Sequence, residues 1–214
     1  MSVVVAIKEK GVVYMGADSQ VTKGGTRSTL KNPNNYKIWK LDGVENALMG
    51  HVGNVRDANV IRTKVFMDDY DEFTNRINYK FVVKYTVPEI IKTLRDAHFL
   101  KGKDDEYFDY MDSSFLLAYK DQLYSINCDG CVLEIDDYVA IGSGAPEAIG
   151  SLLSTEGMSP KERIIRAIKA SAASDIYVDY PIIISNTSST QFKVVTEDNE
   201  GQFLKENKKE EKNK

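Results

Sequence analysis

This sequence has little cysteine, little histidine and no basic excess, and each shortage excludes a class of function. Among 214 residues the only cysteines are Cys128 and Cys131, and the only histidines are His51 and His98. A Cys-x-x-Cys pair can signal a redox motif or half a zinc site, but no second pair or neighbouring histidine completes four ligands. Asp129-Gly130, set between β-rich runs at 122–127 and 132–135, instead predicts a structural hairpin. A net charge of −4 and a pI near 5.4 argue against a nucleic-acid partner, which would require a basic face. No apolar run approaches membrane-spanning length. The apolar start at residues 1–7 has no basic n-region and runs into Lys8, Glu9 and Lys10, so a cytoplasmic location is expected, without membrane contact.

What is present is ordinary for a globular chain, with 42% hydrophobic and 28% charged residues. One domain over residues 1–204 is expected. The stretch 205–214 is almost entirely Lys, Glu and Asn, and is expected to be a disordered, solvated tail. The acidic cluster Asp104, Asp105, Glu106, Asp109 and Asp112 lacks the turning glycine of a calcium loop. It reads as a solvated connection, and no metal or cofactor is expected.

Hydrophobic patterning predicts strands at 3–7 and 12–17, a polar loop at 22–35, and strands at 36–41 and 46–52. A helix from Val55 follows, then a second announced by Thr86, Pro88 and Glu89. Strands return at 114–119, 122–126, 132–135 and 138–144. A helical pair carries Ala148 to Leu153 and Ile164 to Ile168, and strands at 181–185 and 191–195 close the chain. Strands, two helices, strands, two helices, strands is an α+β order. It fits a four-layer αββα sandwich, with two antiparallel sheets between helical layers, better than alternating βα units.

The chemistry centres on the chain start. If Met1 is removed, Ser2 carries a hydroxyl nucleophile and an α-amine with an unperturbed pKa of roughly 7.7–8.0, a base within the same residue. A nearby lysine would keep that amine neutral, and the lysine would need an anion. Lys37 and Asp18 are the candidates. A backbone N–H is also needed where the carbonyl oxygen becomes negative, and the glycines of Met49-Gly50-His51-Val52-Gly53-Asn54 lie at a suitable strand-to-helix junction.

Five blocks in order carry a resemblance. They are the nucleophile after Met1, Gly16-Ala17-Asp18-Ser19, Lys37-Ile38-x-x-Leu41, Gly50-x-x-Gly53, and Ala140-Ile141-Gly142-Ser143-Gly144 followed by a helix. In these the chain resembles the proteasome β-subunit and HslV-like family of N-terminal-nucleophile (Ntn) hydrolases. The resemblance implies a peptidase with Ser2 as nucleophile and base, Asp18 and Lys37 as its charge pair, and Gly53 as oxyanion donor. It also implies Ser143 as orienter of the amine and Asp175 as acidic support. Val21, Asn35, Trp39, His51 and Val55 would line a pocket for the substrate side chain, more apolar than charged, suited to cleavage after hydrophobic residues. The implied substrate is a peptide or unfolded protein, and the implied assembly a homo-oligomeric ring. No P-loop occurs, so an ATP-driven unfoldase would be a separate protein. The chain departs from the family in having serine where threonine is usual, Asn54 where a second glycine is common, and Val178 where a serine is common.

Two other readings share the fold: a catalytically silent ring or scaffold subunit, and an amidase acting on small amides. A nucleophile elbow at Ser143 is excluded, because Ile141 and Ala145 replace its glycines and no histidine follows residue 98.

Overall fold

The computed structural model describes residues 2–65, 77–100 and 110–212. The chain enters a sheet at once. β1 (Val3–Glu9) pairs with β2 (Val12–Ala17) across the Lys10-Gly11 turn, and a short hairpin, β3 (Gln20–Lys23) and β4 (Thr26–Thr29), follows. That hairpin occupies the first part of the loop expected over 22–35. Every residue of β4 is exposed, so its sequence has no apolar alternation to reveal a strand.

β5 (Ile38–Lys40) and β6 (Ala47–Gly53) lead into α1 (Val55–Lys64). α2 (Tyr79–Phe81), a π-helical turn (Val82–Thr86) and α3 (Val87–Asp96) then run without a break. Thr86, expected to open a helix, is itself helical and makes no side-chain cap; the helix starts at Asn78, whose side chain accepts the Phe81 N–H. Pro88 therefore lies within a continuous helix. Its missing N–H and its ring would disrupt a regular α-helical turn, and the wider π turn immediately before it accommodates both.

β7 (Ser113–Tyr119), β8 (Gln122–Ile126), β9 (Val132–Glu134) and β10 (Tyr138–Gly142) precede the helical pair α4 (Ala145–Ser154) and α5 (Pro160–Ala172). β11 (Ile182–Asn186), β12 (Lys193–Val195) and α6 (Glu200–Lys212) complete the order. The β8–β9 connection is the hairpin expected around Asp129-Gly130, with Cys128 and Cys131 exposed as free thiols. Of the acidic cluster, Asp104, Asp105, Glu106 and Asp109 lie outside the described residues, as does Met1.

The strands form two antiparallel five-stranded sheets, ordered β10-β1-β2-β11-β12 and β5-β6-β7-β8-β9. Three apolar layers result, because side chains alternate across each strand. From β1, Val3, Val5 and Ile7 pack on Leu152, Ile164 and Ile168 of the α4–α5 layer, while Val4 and Ala6 meet Leu116 and Ala118 of the facing sheet. From β7, Phe115, Leu117 and Tyr119 turn to Ile61, Ile90 and Leu94 of the other helical layer. The architecture is thus the four-layer sandwich expected. Both faces of β1 are covered, which explains its unbroken apolar run.

The tail differs from expectation. α6 continues through Lys212, packs Phe203 and Leu204 against the α5 layer, and buries Asn207, whose amide donates to Ser159. Phe203 and Leu204 belong to the expected domain and lie just before the stretch from Lys205, which is itself too charged to give an apolar stripe. Among the described residues no helix is long and apolar enough to cross a membrane.

Candidate active site

The sheets bring the chain start and two buried charges to one place. Lys37 Nζ, just ahead of β5, lies 2.8 and 2.7 Å from the two carboxylate oxygens of Asp18, just past β2. Asp18 Oδ1 also accepts the Val3 N–H at 2.9 Å, and Oδ2 the Gln20 N–H at 3.0 Å. The carboxylate thus fastens the lysine to the first strand. Burial pushes the Lys37 ammonium below its usual range, with Asp18 opposing that shift most strongly, followed by Asp175. Burial also raises Asp18, against Lys37 and the two backbone donors. All four hydrogen bonds favour the anionic carboxylate, so we describe the two residues as an ion pair at neutral pH.

Ser2 is buried between this pair and the β10–α4 junction. Its N–H donates to Ser143 Oγ at 3.1 Å, and its carbonyl accepts the Gly144 N–H at 3.4 Å. Gly142, at φ +104°, gives the closeness this requires. Ser171 Oγ in turn donates to the Gly144 carbonyl at 2.6 Å, fixing the junction to α5. Asp175, beyond α5, uses Oδ1 to accept the Tyr177 N–H at 2.9 Å, while its Oδ2 is buried without a hydrogen bond.

At the end of β6, Gly53 has φ +121° and borders the same pocket as Ser2. Asn54 then caps α1 by accepting the Arg56 N–H at 3.2 Å. This turn rests on a buried network absent from the sequence reading. Ser113 Oγ donates to Asp57 Oδ2 at 2.8 Å, so it accepts from Asn54 N–H at 3.2 Å and from His51 Nε2 at 3.0 Å. His51 is held neutral, its pKa pushed down to about 3, by burial first and then by the charges of Lys37 and Arg62.

The pocket beside Ser2 is bordered by Lys37, Gly53 and four residues expected there: Val21, Asn35, His51 and Val55. Trp39, the fifth, is a correction. It lies two residues beyond Lys37, buried in the core layer under α1, with the Arg62 guanidinium 4.6 Å from its ring centre. Arg62 lines the pocket instead, together with Ala58 and Asn59. Helical spacing contained the signal: Val55, Ala58, Asn59 and Arg62 stand at i, i+3, i+4 and i+7 on one face of α1. With two cations among its lining residues, the pocket is also more polar than the apolar one expected.

Two antiparallel sheets between helical layers, with the chain start in the sheet whose junctions surround Ser2, define the Ntn-hydrolase fold. Residues 2–182 match the proteasome subunit family. The chain is 25% identical over 185 residues to the ATP-dependent protease subunit HslV of Caldicellulosiruptor saccharolyticus, covering 85% of this chain and 95% of that one. Its fold is similar to that of HslV from Trypanosoma brucei, with a TM-score of 0.62 and 17% identity over 86% of this chain and 98% of that one. Thiobacillus denitrificans BPH, solved in complex with epoxomicin, gives a TM-score of 0.67 at 15% identity, over 91% and 99% of the two chains. This chain belongs to the proteasome subunit family.

Proposed function

We propose that the chain is a peptidase subunit whose nucleophile is Ser2, exposed by removal of Met1. The observation that carries this reading is the buried Lys37–Asp18 pair, bonded to the first strand one residue from Ser2. A buried ion pair is weak evidence for stability, whereas a lysine with a lowered pKa beside a hydroxyl and an amine has a chemical use.

In this mechanism the free α-amine of Ser2 accepts the hydroxyl proton as Oγ attacks the peptide carbonyl, and Lys37 favours the neutral amine beforehand. The Gly53 N–H takes the developing oxyanion. Ser143 and Asp175 orient the amine. The protonated amine then passes its proton to the leaving peptide nitrogen, leaving an ester on Ser2 that water hydrolyses in a second, similar cycle. The unpaired Asp175 Oδ2 supplies an acceptor near the site that an α-ammonium can use.

Membership of the proteasome subunit family supports a cytoplasmic homo-oligomeric ring with the sites inside, acting on peptides or unfolded protein. The HslV relative is an ATP-dependent protease subunit, which supports a separate ATPase as partner.

The test is intact-mass and N-terminal analysis before and after incubation with peptide epoxyketones, which require a hydroxyl and a free adjacent amine. Loss of Met1 and an adduct on Ser2, absent in Ser2→Ala, is the expected result. Retained Met1 without an adduct would favour the silent subunit.

A further inference from the structure

We infer that the pocket beside Ser2 receives an acidic side chain, so that the chain cleaves after glutamate or aspartate, with Arg62 as the specificity-determining residue. This rests on the peptidase reading above and names its substrate class.

Arg62 has fewer partners than its guanidinium can bind. Its Nη2 donates to the Tyr36 carbonyl and its guanidinium lies over Trp39, but Nε and Nη1 are cut off from solvent without a hydrogen-bond partner. No ion pair to Arg62 occurs among the described residues. Arg62 as a whole is only partly buried and lines the pocket, and a cation held there without an ion pair is a ready partner for an anionic side chain. Burial pushes the guanidinium down to about 10, which still leaves it cationic at neutral pH.

The rest of the pocket points the same way. Lys37 also lines it but is already answered by Asp18, and none of the described lining residues is acidic, so Arg62 is the unanswered cation of the wall. Asp18 is fully engaged by Lys37, Val3 and Gln20, so it offers no counter-charge to Arg62. His51, on the same wall, is held neutral by burial first and then by the charges of Lys37 and Arg62, so it adds no cation of its own. Asn35 and Asn59 add amide donors suited to a carboxylate. A long apolar side chain would leave the guanidinium unanswered. A basic one would be repelled.

The experiment measures kcat/KM on fluorogenic peptides that differ only at the residue before the scissile bond: Glu, Asp, Gln, Leu and Arg. Glutamate is expected to exceed its neutral isostere glutamine by about 30-fold, the scale of a charge-assisted hydrogen bond. Arg62→Leu should remove that ratio and raise the leucine substrate, while Arg62→Lys, which keeps the charge but loses the planar fork stacked on Trp39, should retain part of it. Labelling of each variant by a leucyl epoxyketone shows that its site still forms. Labelling with leucine or arginine cleaved as fast as glutamate would overturn the acidic pocket and leave the peptidase standing. Neither labelling nor cleavage of any peptide by the unaltered chain would overturn both.

Discussion

Gly142 lies so close to Ser2 that a Cβ at position 142 would stand 2.1 Å from the Ser2 carbonyl oxygen and 2.9 Å from its carbonyl carbon. Backbone cannot yield as a flexible side chain can, and φ +104° is hostile to any other residue. Gly142→Ala is therefore expected to destabilise the fold by about 3 kcal/mol in urea unfolding. It should slow epoxyketone labelling of Ser2 at least about 100-fold, because displacement on the order of 1 Å is enough to spoil an attack geometry. A variant with unchanged labelling would show that Ser2 is not held by this contact.

The Lys37–Asp18 pair predicts an asymmetry between charge and shape. Asp18→Asn keeps the volume but leaves one acceptor oxygen for three donor groups, and strands a buried ammonium. Removing one partner of a buried pair costs about 3–5 kcal/mol, and that loss is expected here in denaturant titration. Lys37→Met removes the stabiliser of the neutral amine and should lower kcat about 10³-fold, in keeping with loss of a nucleophile's activating group. A Lys37→Met protein retaining a tenth of the activity would exclude Lys37 from the chemistry.

Much of the fold was legible because each element is a local pattern, and the site because five short blocks stand in the order the resemblance requires. The unbroken apolar run of β1, the glycines around Ser143, and the Asp18 and Lys37 blocks each stand at an element boundary that hydrophobic patterning locates. What patterning misreads is reach across elements. Trp39 stands two residues from Lys37, yet it is buried in the core layer under α1, while Arg62 of α1 lies over its ring and lines the pocket. Ser113 and Asp57 lie 62 and 56 positions from the residues they bond, and nothing in the sequence around them marks that meeting. The helix through Pro88 is hidden for a different reason: a proline signals a helix start, and only the π turn before it permits continuation.

His51 predicts a pH dependence of stability. Its folded pKa is depressed to about 3, so the native state keeps it neutral while the unfolded chain binds a proton below its ordinary value of 6.5. Stability from this group is fully present above pH 6.5 and is lost as pH falls toward 3. Between pH 7 and pH 5 the loss is about 2 kcal/mol, from a slope of about 1.4 kcal/mol per unit below the unfolded pKa. Comparing urea midpoints of the unaltered chain and His51→Gln at both pH values isolates it, since other titrating groups are common to the two proteins. An equal change in both would assign the dependence elsewhere.

The last prediction concerns α6. Lys169 pairs with Glu200 at 3.0 Å, the Tyr180 hydroxyl donates to Glu200 at 2.5 Å, and Phe203 and Leu204 cover part of the outer helical layer. The exposed ion pair contributes little, so the apolar contacts carry the docking. Partial burial of two such side chains is worth about 2 kcal/mol at ordinary transfer energies. Truncation after Asn199 should therefore lower stability by about that amount. It should leave peptide cleavage unchanged, because these contacts lie on α5 and its flanks, away from the pocket between β6 and α1. Loss of activity with little change in unfolding would reverse this assignment and place the helix in assembly rather than in the stability of the subunit.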